Sequence, residues 1–160
     1  MSPRAAWRLE SLGFARVYDY VPGKTDWLAA CLPRDGTDAS VPLAGDAARE
    51  APTCHFRARV AEVRARVEQD EAGLCVAVND AGIVMGVLER DRLGADDDAP
   101  VEALMTPDPT TVRASEPLAE LAERMREADV EAILVTTPEG RLIGLLRRAE
   151  AEPAAGRFPG

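Results

Sequence analysis

Histidine occurs once in this 160-residue chain, as His55, and the three cysteines, Cys31, Cys54 and Cys75, show no CxxC spacing. So few soft ligands in such an arrangement exclude a zinc site or a disulfide framework, and the thiols are expected to be buried and free. With no second histidine or ligand cluster beside it, His55 is expected to serve packing or the surface. Asp96-Asp97-Asp98 lacks the spaced oxygens and the glycine of a calcium loop and reads as a solvated turn, so no metal is expected. No glycine-rich phosphate loop and no Ser-His-Asp set is present, so no catalytic residue is assigned and the chain is not expected to be an enzyme. Lys24 is the only lysine beside a large arginine complement; with abundant Ala, Gly and Pro, this reports codon usage rather than function.

Positive charge is also in deficit. The formal net charge is −9, which leaves no basic footprint for nucleic acid or for an anionic membrane. No stretch approaches the roughly 20 apolar residues of a membrane span. The start, Met1-Ser2-Pro3-Arg4, lacks the apolar core of a signal peptide. The expected location is therefore cytoplasmic.

What is present is a sizeable apolar fraction, 46%, with 29% charged residues interspersed. That is enough to fold one compact domain with an appendage. An internal repeat organises it. Thr53 laid on Thr111 gives an offset of 58 that holds without a gap to Arg92 on Glu150. Ala61-Glu62 then falls on Ala119-Glu120, Arg66 on Arg124, Gly82 on Gly140, Gly86 on Gly144, Leu88 on Leu146 and Arg90 on Arg148. In the second copy, Ser115 and Pro117 suit a helix start. Leu118, Leu121, Ala122 and Met125 follow at the spacing of one buried helical face. The apolar runs 132–137 and 141–146, joined by Pro138-Glu139-Gly140, read as two strands of a tight hairpin covered on both faces. The first copy repeats this with a helix over 60–68, strands over 74–79 and 83–88, and the turn Asp80-Ala81-Gly82. A single unit of this kind exposes an apolar face, so two units are expected to pack on one another.

The segment Val101-Glu102-Ala103-Leu104-Met105-Thr106-Pro107-Asp108-Pro109-Thr110-Thr111-Val112 resembles the entry to a CBS motif, and Gly140-Arg141-Leu142-Ile143-Gly144-Leu145-Leu146 its closing hairpin. Residues 51–150 are similar to a CBS pair, 51–93 forming the first motif and 100–150 the second. The implied fold is α/β, a tandem of β-α-β-β-α units. The resemblance further implies a non-catalytic regulatory module that senses an adenosine-containing ligand, namely AMP, ADP, ATP or S-adenosylmethionine, and that forms a homodimer through its helices. It places the ligand among Thr111, Val112, Val130, Ala132, Arg147 and Glu150. Here Glu150 keeps a carboxylate for the ribose, and Arg147 replaces the usual hydroxyl with a phosphate-binding group. A less complete set in the first copy comprises Thr53, Glu89, Asp91 and Arg92, with Arg92 at the ribose position. A ligand-free dimerisation module is the alternative that this divergence suggests.

Leu12-Gly13-Phe14, Val17-Tyr18-Asp19-Tyr20, Gly23-Lys24 and Asp26-Trp27-Leu28 resemble the last helix, strand and helix of a rhodanese-like domain. Residues 1–33 are accordingly read as a partial α-β-α fragment of that type, with a strand over 17–21, residues 34–50 as a flexible linker and 151–160 as a loose tail. The resemblance covers about thirty residues and excludes the loop that bears the nucleophilic cysteine; Cys31 stands where the family usually has glycine. A thiosulfate-to-cyanide assay of the purified chain should therefore show no turnover above buffer. Measurable turnover would restore the sulfurtransferase reading.

Overall fold

The computed structural model describes residues 3–18, 26–28, 30, 32–34, 41–94 and 96–155. Helix α1, Pro3–Ser11, leads the chain. Short α2, Ala44–Ala47, then opens the first of two similar halves. That half continues with β1 (Thr53–His55), α3 (Val60–Gln69), β2 (Leu74–Val78), β3 (Val84–Glu89) and a 3-10 turn at Arg90–Arg92. The second half runs α4 (Val101–Leu104), β4 (Thr106–Pro107), β5 (Thr111–Arg113), α5 (Leu118–Glu127), β6 (Ala132–Thr136), β7 (Leu142–Arg147) and α6 (Arg148–Ala155).

The expected helices form where the apolar spacing put them. Val60, Val63 and Val67 are buried on α3, and Leu118, Leu121, Ala122 and Met125 on α5. Each helix lies on its own sheet, giving one cluster around Val63, Cys75 and Leu88 and another around Leu121, Val135 and Leu146. Within each half the strand pairing is the same: β1 is parallel to β2 and β5 to β6, while β2–β3 and β6–β7 are antiparallel hairpins.

The two halves exchange their lead-in segments. β4, at the start of the second half, is the edge strand of the first sheet, pairing Gly86 with Pro107 and Val87 with Thr106. Arg49 reciprocates from the first half by bridging Leu145 on β7. Its amide donates to the Leu145 carbonyl and its carbonyl accepts from the Leu145 amide, each at 2.8 Å. Thr106 stands 57 residues after Arg49, whereas Leu145 stands 58 after Val87. The second copy thus carries one extra residue ahead of β5, where Asp108 adopts a positive φ of 49°. The hairpin tips are joined in the same reciprocal way: the Val84 amide donates to Gly140 and the Leu142 amide to Gly82, each at 3.0 Å. Between the sheets lies a third cluster, Ala51, Val76, Val87, Leu134 and Leu145, drawn from both halves.

This exchange corrects the linker expected at 34–50. Its described end, residues 41–50, is built into the second half. Leu43 and Ala44 are buried, and the Ala44 and Gly45 amides donate to the Glu116 and Ala114 carbonyls. The tail expected at 151–160 begins inside α6, where Ala151 is fully buried against the second core. The strand expected over 17–21 of the rhodanese-like fragment falls mostly outside the described residues; Val17 and Tyr18 belong to neither helix nor strand. Trp7, Leu12, Phe14 and Tyr18 of that segment are exposed.

Glycine is required where the lead-in strands cross. A Cβ on Gly86 would sit 2.6 Å from Met105 Sδ and 2.8 Å from the Thr106 carbonyl, and one on Gly144 would collide with the Arg49 carbonyl. Gly86→Ala and Gly144→Ala should each lower the unfolding free energy by about 2–3 kcal/mol in urea titrations. Gly94→Ala, whose new methyl group approaches nothing closer than 4.0 Å, serves as the control.

Candidate functional site

Asp129, at a positive φ of 51°, turns the chain out of α5 and delivers Val130 and Ala132 to the start of β6. At the equivalent end of the first sheet stands Leu74. The inter-sheet core opens there into a cavity of about 290 Å³. The first half supplies Leu74, Val87 and Glu89 to its wall; the second supplies Thr106, Pro109 and Thr110 from the exchanged lead-in, Val130 from the turn before β6 and Ala132 from β6 itself. Most of this lining is aliphatic, as in small-molecule sites generally. Glu89 is its only ionisable side chain. The Thr106 hydroxyl is buried without a hydrogen-bond partner among the described residues, an arrangement that buried polar atoms rarely tolerate unless something else satisfies them.

The cavity borders a wider depression of about 620 Å³ that shares Leu74, Glu89 and Ala132 with it. Glu71, Glu131, Arg147 and Arg148 also line this depression. Its arginines are engaged. Arg147 Nη1 donates to Glu71 Oε2 at 2.6 Å, with Asp70 Oδ1 3.8 Å from its other nitrogen, and Arg148 pairs with Asp129 at 3.1 Å. Arg90 spends its guanidinium on the carbonyls of Val67, Glu68 and Asp70 at the end of α3.

The residues expected to surround one ligand are divided by the fold. Val130 and Ala132 line the cavity, but the charged group facing them is Glu89 of the first half, not Arg147 or Glu150. Arg147 lies in the neighbouring depression against the first half's Glu71. Glu150 turns to the exchanged lead-in of the first half, its Oε1 3.6 Å from Arg49 Nε and its Oε2 buried without a partner among the described residues. Thr111 is exposed beside a separate shallow pocket, and Val112 is packed into the second core. Thr110, one residue earlier, reaches the cavity instead. Thr53, Asp91 and Arg92 are exposed and line neither space. Thr106, Pro109 and Thr110 escaped sequence reasoning because the gap-free repeat begins only at Thr53 and Thr111, beyond the lead-in that carries them.

Cys54 and Cys75 are buried and free, on neighbouring strands. A hydrogen bond from Cys75 lowers the pKa of Cys54; the same bond, together with burial, pushes that of Cys75 up. His55 Nδ1 accepts from the Arg57 amide at 3.2 Å, and Nε2 lies 3.3 Å from Asp80. The Asp96–Asp98 turn is held by arginines: Arg64 Nε donates to Asp97 at 2.8 Å and Arg59 to Asp98 at 3.1 Å. Among the described residues, no group of acidic, cysteine or histidine side chains could hold a metal ion, and no helix is long and apolar enough to cross a membrane.

Residues 101–151 match the CBS domain family. No curated protein matches the chain in sequence. Solved structures share the fold of the pair. The cytosolic domain of the Mg2+ channel MgtE in complex with ATP is 25% identical, with 72% of this chain and 50% of that one covered at a TM-score of 0.62. The protein CBSX2 in complex with AMP is 22% identical, with 71% and 95% covered at 0.61. A CBS domain pair in complex with 5′-methylthioadenosine and S-adenosyl-L-methionine is 18% identical, with 72% and 97% covered at 0.58. This chain spans about half the length of the magnesium-transport structures it matches, 46% of the soluble part of a magnesium transporter and 50% of the MgtE domain. The rhodanese-like reading of the N-terminal segment finds no support in these matches.

In a Cys31→Ser background, neither Cys54 nor Cys75 should react with a thiol reagent at the rate of a surface thiol, because both are sealed in the first core. Both should react on unfolding in urea. Fast labelling of either under native conditions would contradict their burial.

Proposed function

We propose that this chain is a non-catalytic regulatory module that senses an adenosine-containing ligand in the 290 Å³ cavity between its two halves. The observation that carries the reading is the cavity itself, a largely aliphatic slot between paired sheets with the carboxylate of Glu89 in its wall. Structures of the same fold that carry ATP, AMP, 5′-methylthioadenosine or S-adenosyl-L-methionine support the choice of ligand class. Val130 and Ala132 would flank the base, with Thr110 offering a hydroxyl and Glu89 a carboxylate for the ribose diol. Of the groups assigned from sequence, Arg147 and Glu150 would serve the neighbouring depression and the lead-in beside Arg49, on the opposite side of the pair. We place the module in the cytoplasm and propose that it works as a homodimer through its helices.

One observation favours a second reading, a ligand-free dimerisation module. The Arg147–Glu71 pair joins the two halves across the wider depression without any ligand. That pair is partly exposed, so it holds the depression only weakly. Thermal melts in the presence of AMP, ATP, 5′-methylthioadenosine and S-adenosylmethionine separate the readings. A ligand at one hundred times its dissociation constant should add about 2.7 kcal/mol to the folded state. Ala132→Leu, which fills the mouth shared by both spaces, should abolish that gain without unfolding the protein. No shift with any of these ligands, together with a dimer mass in solution, would favour the dimerisation module.

A further inference from the structure

The electrostatics of the cavity narrow the ligand further. Resting on the adenosine-ligand reading above, we propose that the cavity takes an adenosine whose 5′ substituent is neutral or cationic, a thioether or a sulfonium, and rejects the 5′-phosphorylated nucleotides.

Within the cavity the only charge is negative, the carboxylate of Glu89. Wherever a 5′ substituent points inside the slot, Glu89 is the charge it meets. If it points outward, it enters the depression lined by Glu71 and Glu131 as well. The positive groups of that depression already face carboxylates in partly exposed pairs, Arg147 those of Glu71 and Asp70 and Arg148 that of Asp129, so a phosphate entering there competes with them. Arg90, next in the chain after Glu89, is bonded to three helix-end carbonyls. A phosphate would have to break one of these pairs to find a cation and would still face surplus carboxylates. Like charges at such separations in a partly desolvated cleft oppose binding strongly. A sulfonium would gain from the same field, and a thioether would lose nothing to it. The chain's overall −9 charge adds to this bias at long range.

The repeat sharpens the point. Glu89 in the first copy and Arg147 in the second occupy equivalent positions, so the halves carry opposite charges at corresponding places. The base-binding wall of Val130 and Ala132 faces the acidic member of that pair. Thr106 and Thr110 add uncharged residues to the lining. The slot therefore offers a nucleoside apolar surface and a carboxylate, and offers a phosphate no cation of its own.

The test is calorimetric titration of the intact chain with adenosine, 5′-methylthioadenosine, S-adenosylmethionine, AMP and ATP, in buffer free of divalent cations at low ionic strength. The expected order has S-adenosylmethionine and 5′-methylthioadenosine binding at least about tenfold more tightly than AMP, with ATP weakest. Added salt should narrow the gap. Glu89→Gln, at an exposed position where folding is insensitive, should weaken S-adenosylmethionine most and improve AMP relative to 5′-methylthioadenosine, because the loss of a ribose contact is common to all three ligands while the loss of the charge is not. AMP or ATP binding as tightly as 5′-methylthioadenosine would overturn the charge selection and leave the adenosine-ligand reading standing. Failure of all five ligands to bind would overturn both.

Discussion

The reciprocal exchange of lead-in strands is the constraint on which the rest of this structure depends. Each three-stranded sheet would otherwise end in an open edge at β3 or β7, with unpaired amides and carbonyls. The other half covers that edge, β4 on β3 and Arg49 on β7. Neither half is complete alone, because each supplies the backbone that closes its neighbour. The crossings also require glycine: Gly86 and Gly144 sit where a carbonyl of the exchanged segment passes, leaving no room for a side chain.

Closing the edges in this way brings the inner faces of the two sheets together over Val76, Val87, Leu134 and Leu145. At one end the faces diverge, and the exchanged strand becomes a wall of the resulting cavity. Thr106 and Thr110 are there because β4 belongs to the first sheet while the residues after it lead into the second. The segment that stabilises the pair is thus the segment that shapes the candidate site, and occupancy of the site bears directly on the junction between the halves. A ligand seated there would tighten contacts drawn from both halves, a route by which binding is communicated across the junction.

Pseudo-symmetry does not make the two sides equivalent. The backbone repeats faithfully, with matching hairpin tips, matching helices and matching crossings. The charges do not: Glu89 answers Arg147 and Arg92 answers Glu150. One extra residue before β5, with Asp108 in a left-handed conformation, further distinguishes the two lead-ins. Divergence on a symmetric scaffold leaves one acidic, mainly apolar cavity and one arginine-bearing depression whose cations are tied down by neighbouring carboxylates.

Residues 53–150 by themselves determined the secondary structure of both halves, since a helix that buries Val60, Val63 and Val67 on one face announces itself by spacing. The repeat likewise determined that the halves would resemble one another. Only the tertiary structure decided which half covers which edge. Strand exchange is written in hydrogen bonds between residues far apart in the chain, and the lead-in segments fall outside the gap-free repeat by a single residue. It alone also set Glu150 beside Arg49, apart from the cavity that Val130 and Ala132 line, and brought Glu89 of the other motif into that cavity. Packing two sheets face to face sets each wall of a cleft against the opposite half, so residues of different motifs come to share a cavity.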